Sequence, residues 1–136
     1  MKLEHVGIAV KDLSRSKKIF DSLFGHQSYK TEMVESEQVS TVFYQTGVSK
    51  IELLQAVSNE SAISKFIEKR GEGMHHLAFE VSDIEQEISR LKLEGFLFVS
   101  DSPKVGADGK RICFLHPKST NGVLIELCET IIYTNS

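Results

Sequence analysis

The sequence predicts an α+β domain assembled from two related modules of strand, helix and further strands. Three observations carry this reading: an apolar strand headed by histidine that recurs 71 residues later (position 5 to position 76), an aspartate-capped amphipathic stretch after each copy, and short β-type runs that close each half. His5-Val6-Gly7-Ile8-Ala9-Val10-Lys11-Asp12-Leu13 lies over His76-Leu77-Ala78-Phe79-Glu80-Val81-Ser82-Asp83-Ile84. Lys50-Ile51-Glu52-Leu53-Leu54-Gln55 lies over Leu124-Ile125-Glu126-Leu127-Cys128-Glu129, an offset of 74 (position 52 to position 126). So long a period exceeds that of solenoid repeats, and two copies make a fused pair.

The elements follow in order. After the first strand, Leu13, Ile19, Phe20, Leu23 and Phe24 recur at helical spacing between an Asp12 cap and a Gly25 stop. Val39–Tyr44 and Ile51–Leu54 then read as strands. Asn59–Gly71 reads as a connecting helix, with Ile63, Phe66 and Ile67 on one face. In the second copy Ile84, Ile88 and Leu91 form the helical stripe between Asp83 and Gly95, followed by strands at Phe96–Val99, Ile112–Leu115 and Val123–Cys128. The organisation expected is one domain over 1–136: module one about 1–57, a connector about 58–71, module two about 72–129 and a tail over 130–136.

A chain of 136 residues with 40% apolar composition can bury a sufficient core without disulfides. Cys113 and Cys128 lie in apolar segments without CxxC spacing, so both read as reduced, buried thiols. Lys plus Arg number 16 against 19 Asp plus Glu, a net charge of −3 with no long run of one sign, which argues against nucleic acid or an anionic membrane as partner. No apolar run approaches the ~20 residues that cross a bilayer, and the first residues lack a signal peptide's pattern, so a cytoplasmic address is expected.

The repeated polar residues point to chemistry. Alternation along a strand sets His5, Gly7 and Ala9 on one face and Val6, Ile8 and Val10 on the other, and the second copy repeats this with His76, Ala78 and Glu80. The aliphatic face packs on the helices, so the histidine face lines something else. Glu52 and Glu126 interrupt apolar strands at matching places. Buried carboxylates and imidazoles need a compensating charge, which one divalent cation per chain supplies. Two nitrogen and two oxygen ligands suit Zn, Ni, Co, Fe or Mn ions better than calcium. His75 and His76 are neighbours and leave the strand on opposite faces; the repeat selects His76, and His75, His26 and His116 read as structural.

These residues resemble the vicinal oxygen chelate superfamily, and within it the methylmalonyl-CoA epimerases. The resemblance runs to Glu129 and is carried by Leu3–Val10, Lys50–Leu54, Gly71-Glu72-Gly73-Met74-His75-His76-Leu77-Ala78-Phe79-Glu80-Val81, Pro103–Gly106, Arg111-Ile112-Cys113-Phe114-Leu115-His116-Pro117-Lys118-Ser119 and Gly122–Leu127. It implies two βαβββ modules forming an incomplete barrel around a metal cleft, in a homodimer, with His5, Glu52, His76 and Glu126 as metal ligands. It also implies a reaction: interconversion of (R)- and (S)-methylmalonyl-CoA by α-proton abstraction through a metal-stabilised enolate, with Glu126 as the candidate base. Some members have a further carboxylate on the strand after a Glu-Gln pair. Counted from Glu37-Gln38, that place here is Val42. The basic loop from Lys104 to Arg111, with Lys118 beyond it, offers Arg111 and Lys118 as contacts for the acyl-CoA. A glyoxalase I-type hemithioacetal isomerase and a metal-free small-molecule binding module of the same fold are the alternatives.

Overall fold

Both amphipathic helices begin where the aspartates place them. In the computed structural model, which describes residues 1–100 and 102–132, α1 spans Leu13–Phe24 and α3 spans Ile84–Leu93. Asp12 accepts from the Arg15 N–H and Asp83 from the Gln86 N–H, satisfying amides that have no partner within the helix. Gly25 ends α1 at φ 73°, a conformation that a side chain would disfavour. The strands are β1 (Lys2–Ala9), β2 (Lys30–Val34), β3 (Val39–Thr46), β4 (Ser49–Ala56), β5 (Gly73–Glu80), β6 (Lys104–Val105), β7 (Lys110–Leu115) and β8 (Ile125–Thr130), and α2 (Ala62–Arg70) follows β4. The order βαβββ therefore occurs twice.

The chain divides into two compact units, His5–His76 and a second made of Met1–Glu4 with the residues from Leu77 onward. The boundary falls inside β1 and β5, and α2, expected as a connector, belongs to the first unit, where it packs on β4. In that unit the strand order is β2-β3-β4-β1, antiparallel except for β1 beside β4. Val10, Val42, Tyr44 and Leu53 form its buried aliphatic layer, with Ile8, Leu13, Phe20, Phe24 and Ile51 packed against it. The Tyr44 hydroxyl reaches through this layer to donate to Asp21 Oδ1 at 2.6 Å.

In the second unit the order is β5-β8-β7-β6, with β5 and β8 parallel. Val81, Ile84, Ile88, Leu91, Cys113, Leu115 and Leu127 make its main core. The start of each long helix is tied to the last strand of its own module in the same way: the Leu13 N–H donates to Gln55 Oε1 and the Ile84 N–H to Glu129 Oε2, both at 2.6 Å. The α+β class and the duplicated module are thus as the repeat predicts.

Several boundaries differ. Phe96–Val99 is not a strand; Phe98 alone bridges to Leu115, because Phe96 and Phe98 turn inward to pack against the α3 core. β2 escapes the apolar pattern because its residues are largely exposed. Thr130, expected in a tail, ends β8, where its hydroxyl receives Lys110 Nζ at 2.7 Å; residues 133–136 of that tail lie outside the described residues. Both cysteines are buried, and neither is in a disulfide. Cys113 faces Leu127 and Cys128 faces Ile112 across the β7–β8 ladder, so strand alternation sends the two thiols to opposite faces.

Candidate metal centre

Three of the four expected ligands converge. One ligand atom each of His5, Glu52 and His76 lies within 4.8 Å of the others. His5 Nε2 stands 2.6 Å from Glu52 Oε2 and 3.0 Å from His76 Nε2. The parallel register of β1 on β4 pairs His5 with Lys50 and Gly7 with Glu52, which places the His5 and Glu52 side chains on one face. Gly7 between them is required by His76, since a Cβ there would lie 2.1 Å from the imidazole Cε1. The residues are only 4%, 4% and 6% exposed. Burial, together with the adjoining His5 and His75, holds the His76 imidazole well below the usual range, so it offers lone pairs and not a cation. A buried carboxylate beside two imidazoles is a donor set that suits a borderline divalent ion, so the cluster could hold a metal ion.

His75 departs from expectation. It is not among the three converging residues, but its Nδ1 lies 2.9 Å from His76 Nδ1, the rings meeting at 88° with centroids 5.2 Å apart. Strand alternation dictates where consecutive Cβ atoms point, and an imidazole is long enough to bring its ring back. Burial pushes the His75 pKa down to about 4.

Glu126 sits on β8 in the second unit, 5% exposed, opposite Ala78 on β5 and Phe114 on β7. A second buried carboxylate there, Glu4, passes unnoticed in the sequence because it does not recur in the repeat. Burial and then Glu126 and Glu4 push the Cys128 thiol far up, so it stays protonated.

Val42, at the place counted for a further carboxylate, does not share a face with Glu52. It is 1% exposed in the aliphatic layer under α1, and its β3 neighbours Thr41 and Phe43 occupy the other face, paired with Leu54 and Glu52. Thr41 is fully buried and its hydroxyl has no hydrogen-bond partner among the described residues. Arg111 is engaged by Glu85 Oε1 at 2.9 Å and Glu129 Oε1 at 3.8 Å. Lys118 lies in a 3-10 turn, Pro117–Ser119, whose amide is capped by His116.

The chain is similar to proteins of known family. Residues 4–114 match the glyoxalase/bleomycin resistance protein/dioxygenase superfamily. The mitochondrial methylmalonyl-CoA epimerase of Dictyostelium discoideum is 40% identical over 94% of this chain and 78% of its own. The ethylmalonyl-CoA/methylmalonyl-CoA epimerase of Cereibacter sphaeroides is 38% identical over 93% and 96%. A Streptomyces coelicolor methylmalonyl-CoA epimerase variant, solved in complex with 2-nitronate-propionyl-CoA, superposes with a TM-score of 0.91 at 32% identity, covering 100% of this chain and 99% of that one.

Proposed function

We propose that this chain, which belongs to the glyoxalase/bleomycin resistance protein/dioxygenase superfamily and within it to the methylmalonyl-CoA epimerase family, interconverts the two epimers of methylmalonyl-CoA with a divalent ion held by His5, Glu52, His76 and Glu126. The observation that carries it is the buried convergence of His5, Glu52 and His76 in a chain of this family. Glu126 is added as the fourth ligand because it repeats the position of Glu52 and is equally buried. Relatives solved with methylmalonyl-CoA or its nitronate analogue support an acyl-CoA substrate.

The reaction inverts C2 without oxidation. Glu126 takes the C2 proton on one side, a water gives a proton to the other and is left as hydroxide, and the proton on Glu126 then neutralises that hydroxide, so atoms and charge balance over the cycle. Bound in the cluster, a divalent ion supplies Lewis-acid stabilisation of the negative charge that builds on the thioester oxygen. The residues opposite the carboxylate in the sheet, Phe114 on β7 and Ala78 on β5, are apolar. The active assembly in this reading is a homodimer. No described helix is long and apolar enough to cross a membrane.

The test is epimerisation in heavy water by metal-loaded protein: deuterium enters C2 as the epimers interconvert. Glu126→Gln keeps an oxygen but removes the base, so turnover falls by about a hundredfold or more while substrate affinity changes little. Unchanged, unlabelled epimers alongside turnover of a hemithioacetal would replace this reading with the isomerase.

A further inference from the structure

The His76 ring is approached by nitrogen on both sides, and only one of those approaches belongs to the metal cluster. His5 Nε2 lies close to both Glu52 Oε2, at 2.6 Å, and His76 Nε2, at 3.0 Å. The carboxylate can only accept, so the proton of this group resides on His5 Nε2 and is shared with the lone pair of His76 Nε2. A neutral imidazole carries a single proton. With Nε2 accepting, the His76 proton is on Nδ1, where it needs an acceptor, and His75 Nδ1 stands there at 2.9 Å. His75 is itself fixed by an edge-to-face contact with Phe66 on α2, centroids 5.0 Å apart at 86°.

We propose that His75 is a positioning residue for the metal centre: its Nδ1 accepts the Nδ1–H of His76, selecting the tautomer whose Nε2 lone pair faces the cluster and holding the ring against Gly7. Second partners of this kind orient metal-binding imidazoles generally, with carboxylates and carbonyls the usual acceptors. Here a second imidazole takes that place and must carry its own proton on Nε2. The hydrogen-bond logic needs no ion, whereas the consequence for affinity rests on the metal reading above.

Two measurements separate the two. In the first, long-range proton–nitrogen NMR on the metal-free full-length protein at pH 7.5 reads the tautomer directly. Wild type shows His76 protonated on Nδ1; protonation on Nε2 overturns the proposal, whether or not the protein binds metal. In the second, chelator competition with Co²⁺ compares three proteins. His75→Phe retains a ring against Phe66 but offers no acceptor, and weakens Co²⁺ binding by about 10- to 100-fold. His75→Asn places an amide oxygen near the former Nδ1 and restores affinity to within about threefold. Equal affinity of His75→Phe and wild type overturns the positioning role, and equal weakness of Asn and Phe assigns His75 to packing alone. A wild type with the Nδ1–H tautomer that binds no Co²⁺ sinks the metal reading and leaves the tautomer assignment standing.

Discussion

The two modules share a frame but not a chemistry. Phe43 faces Glu52 across β3–β4 as Phe114 faces Glu126 across β7–β8, and Leu13 and Ile84 anchor their helices by the same backbone donor. Other matched positions have diverged. Gly7 pairs with Glu52 where Ala78 pairs with Glu126, and Thr41 pairs with Leu54 where Ile112 pairs with Cys128. What duplication preserves is register, because a slip of one residue would turn every side chain to the other face. What it releases is the side chain standing at each register position.

Exchanging residues at matched positions breaks the comparison most sharply at Gly7. Gly7→Ala drives a methyl into the His76 ring, so metal affinity falls by about a hundredfold, as when an orienting contact is lost. Ala78→Gly, its counterpart, leaves metal affinity unchanged and costs about 0.5–1 kcal/mol of stability through backbone entropy. Isothermal titration with Co²⁺ and urea unfolding read both. Equal metal loss in the two variants would show that the modules are alike where the geometry makes them different.

The second exchange concerns Thr41 and Ile112. A fully buried hydroxyl with no partner forfeits its hydration, so the isosteric Thr41→Val stabilises by about 1 kcal/mol. Ile112 packs with Ala78, Cys128 and Phe114 and against the Cα of Gly106, so Ile112→Thr destabilises by about 2 kcal/mol. Urea midpoints moving in opposite directions confirm the contrast. A destabilised Thr41→Val would mean that the hydroxyl is held by a bound water.

The proposed ligands are legible in the sequence because they recur. His5 and His76, and Glu52 and Glu126, stand out because a polar residue in an apolar strand is costly and each occurs twice. Val42, where the count from Glu37-Gln38 puts a further carboxylate, lies in the aliphatic layer under α1, a burial that the count alone does not reveal. His75 was hidden because alternation describes Cβ directions and says nothing of where a ring nitrogen ends. The Phe96–Val99 run differs because an apolar run serves equally as strand or as loop against a helix, and two half-buried rings packed on the α3 core decide for the latter. Arg111 reads as a free basic contact in sequence, whereas Glu85 comes from α3 and Glu129 from β8, both remote along the chain.

The smallest expected effect sharpens the contrast beneath the helices. Tyr44 and Leu115 occupy matched places, opposite Ile51 and Ile125, but only Tyr44 carries a polar tip, which donates to Asp21. The Asp21 carboxyl is held below its usual 3.8, first by Lys17 and then by Tyr44. A carboxylate whose pKa is depressed on folding stabilises the protein above its unfolded pKa, and that contribution disappears as the pH falls through the folded value. Tyr44→Phe removes one cause of the depression, so its stability relative to wild type is reduced at neutral pH, and the difference narrows as the pH falls below about 4. Leu115→Met, the matched control, shifts stability by the same amount between pH 3 and pH 7 because it packs among hydrophobic side chains of the α3 core. Urea unfolding of both variants between pH 3 and pH 7 measures this, and a pH-independent loss in Tyr44→Phe would mean that the tyrosine contributes packing alone.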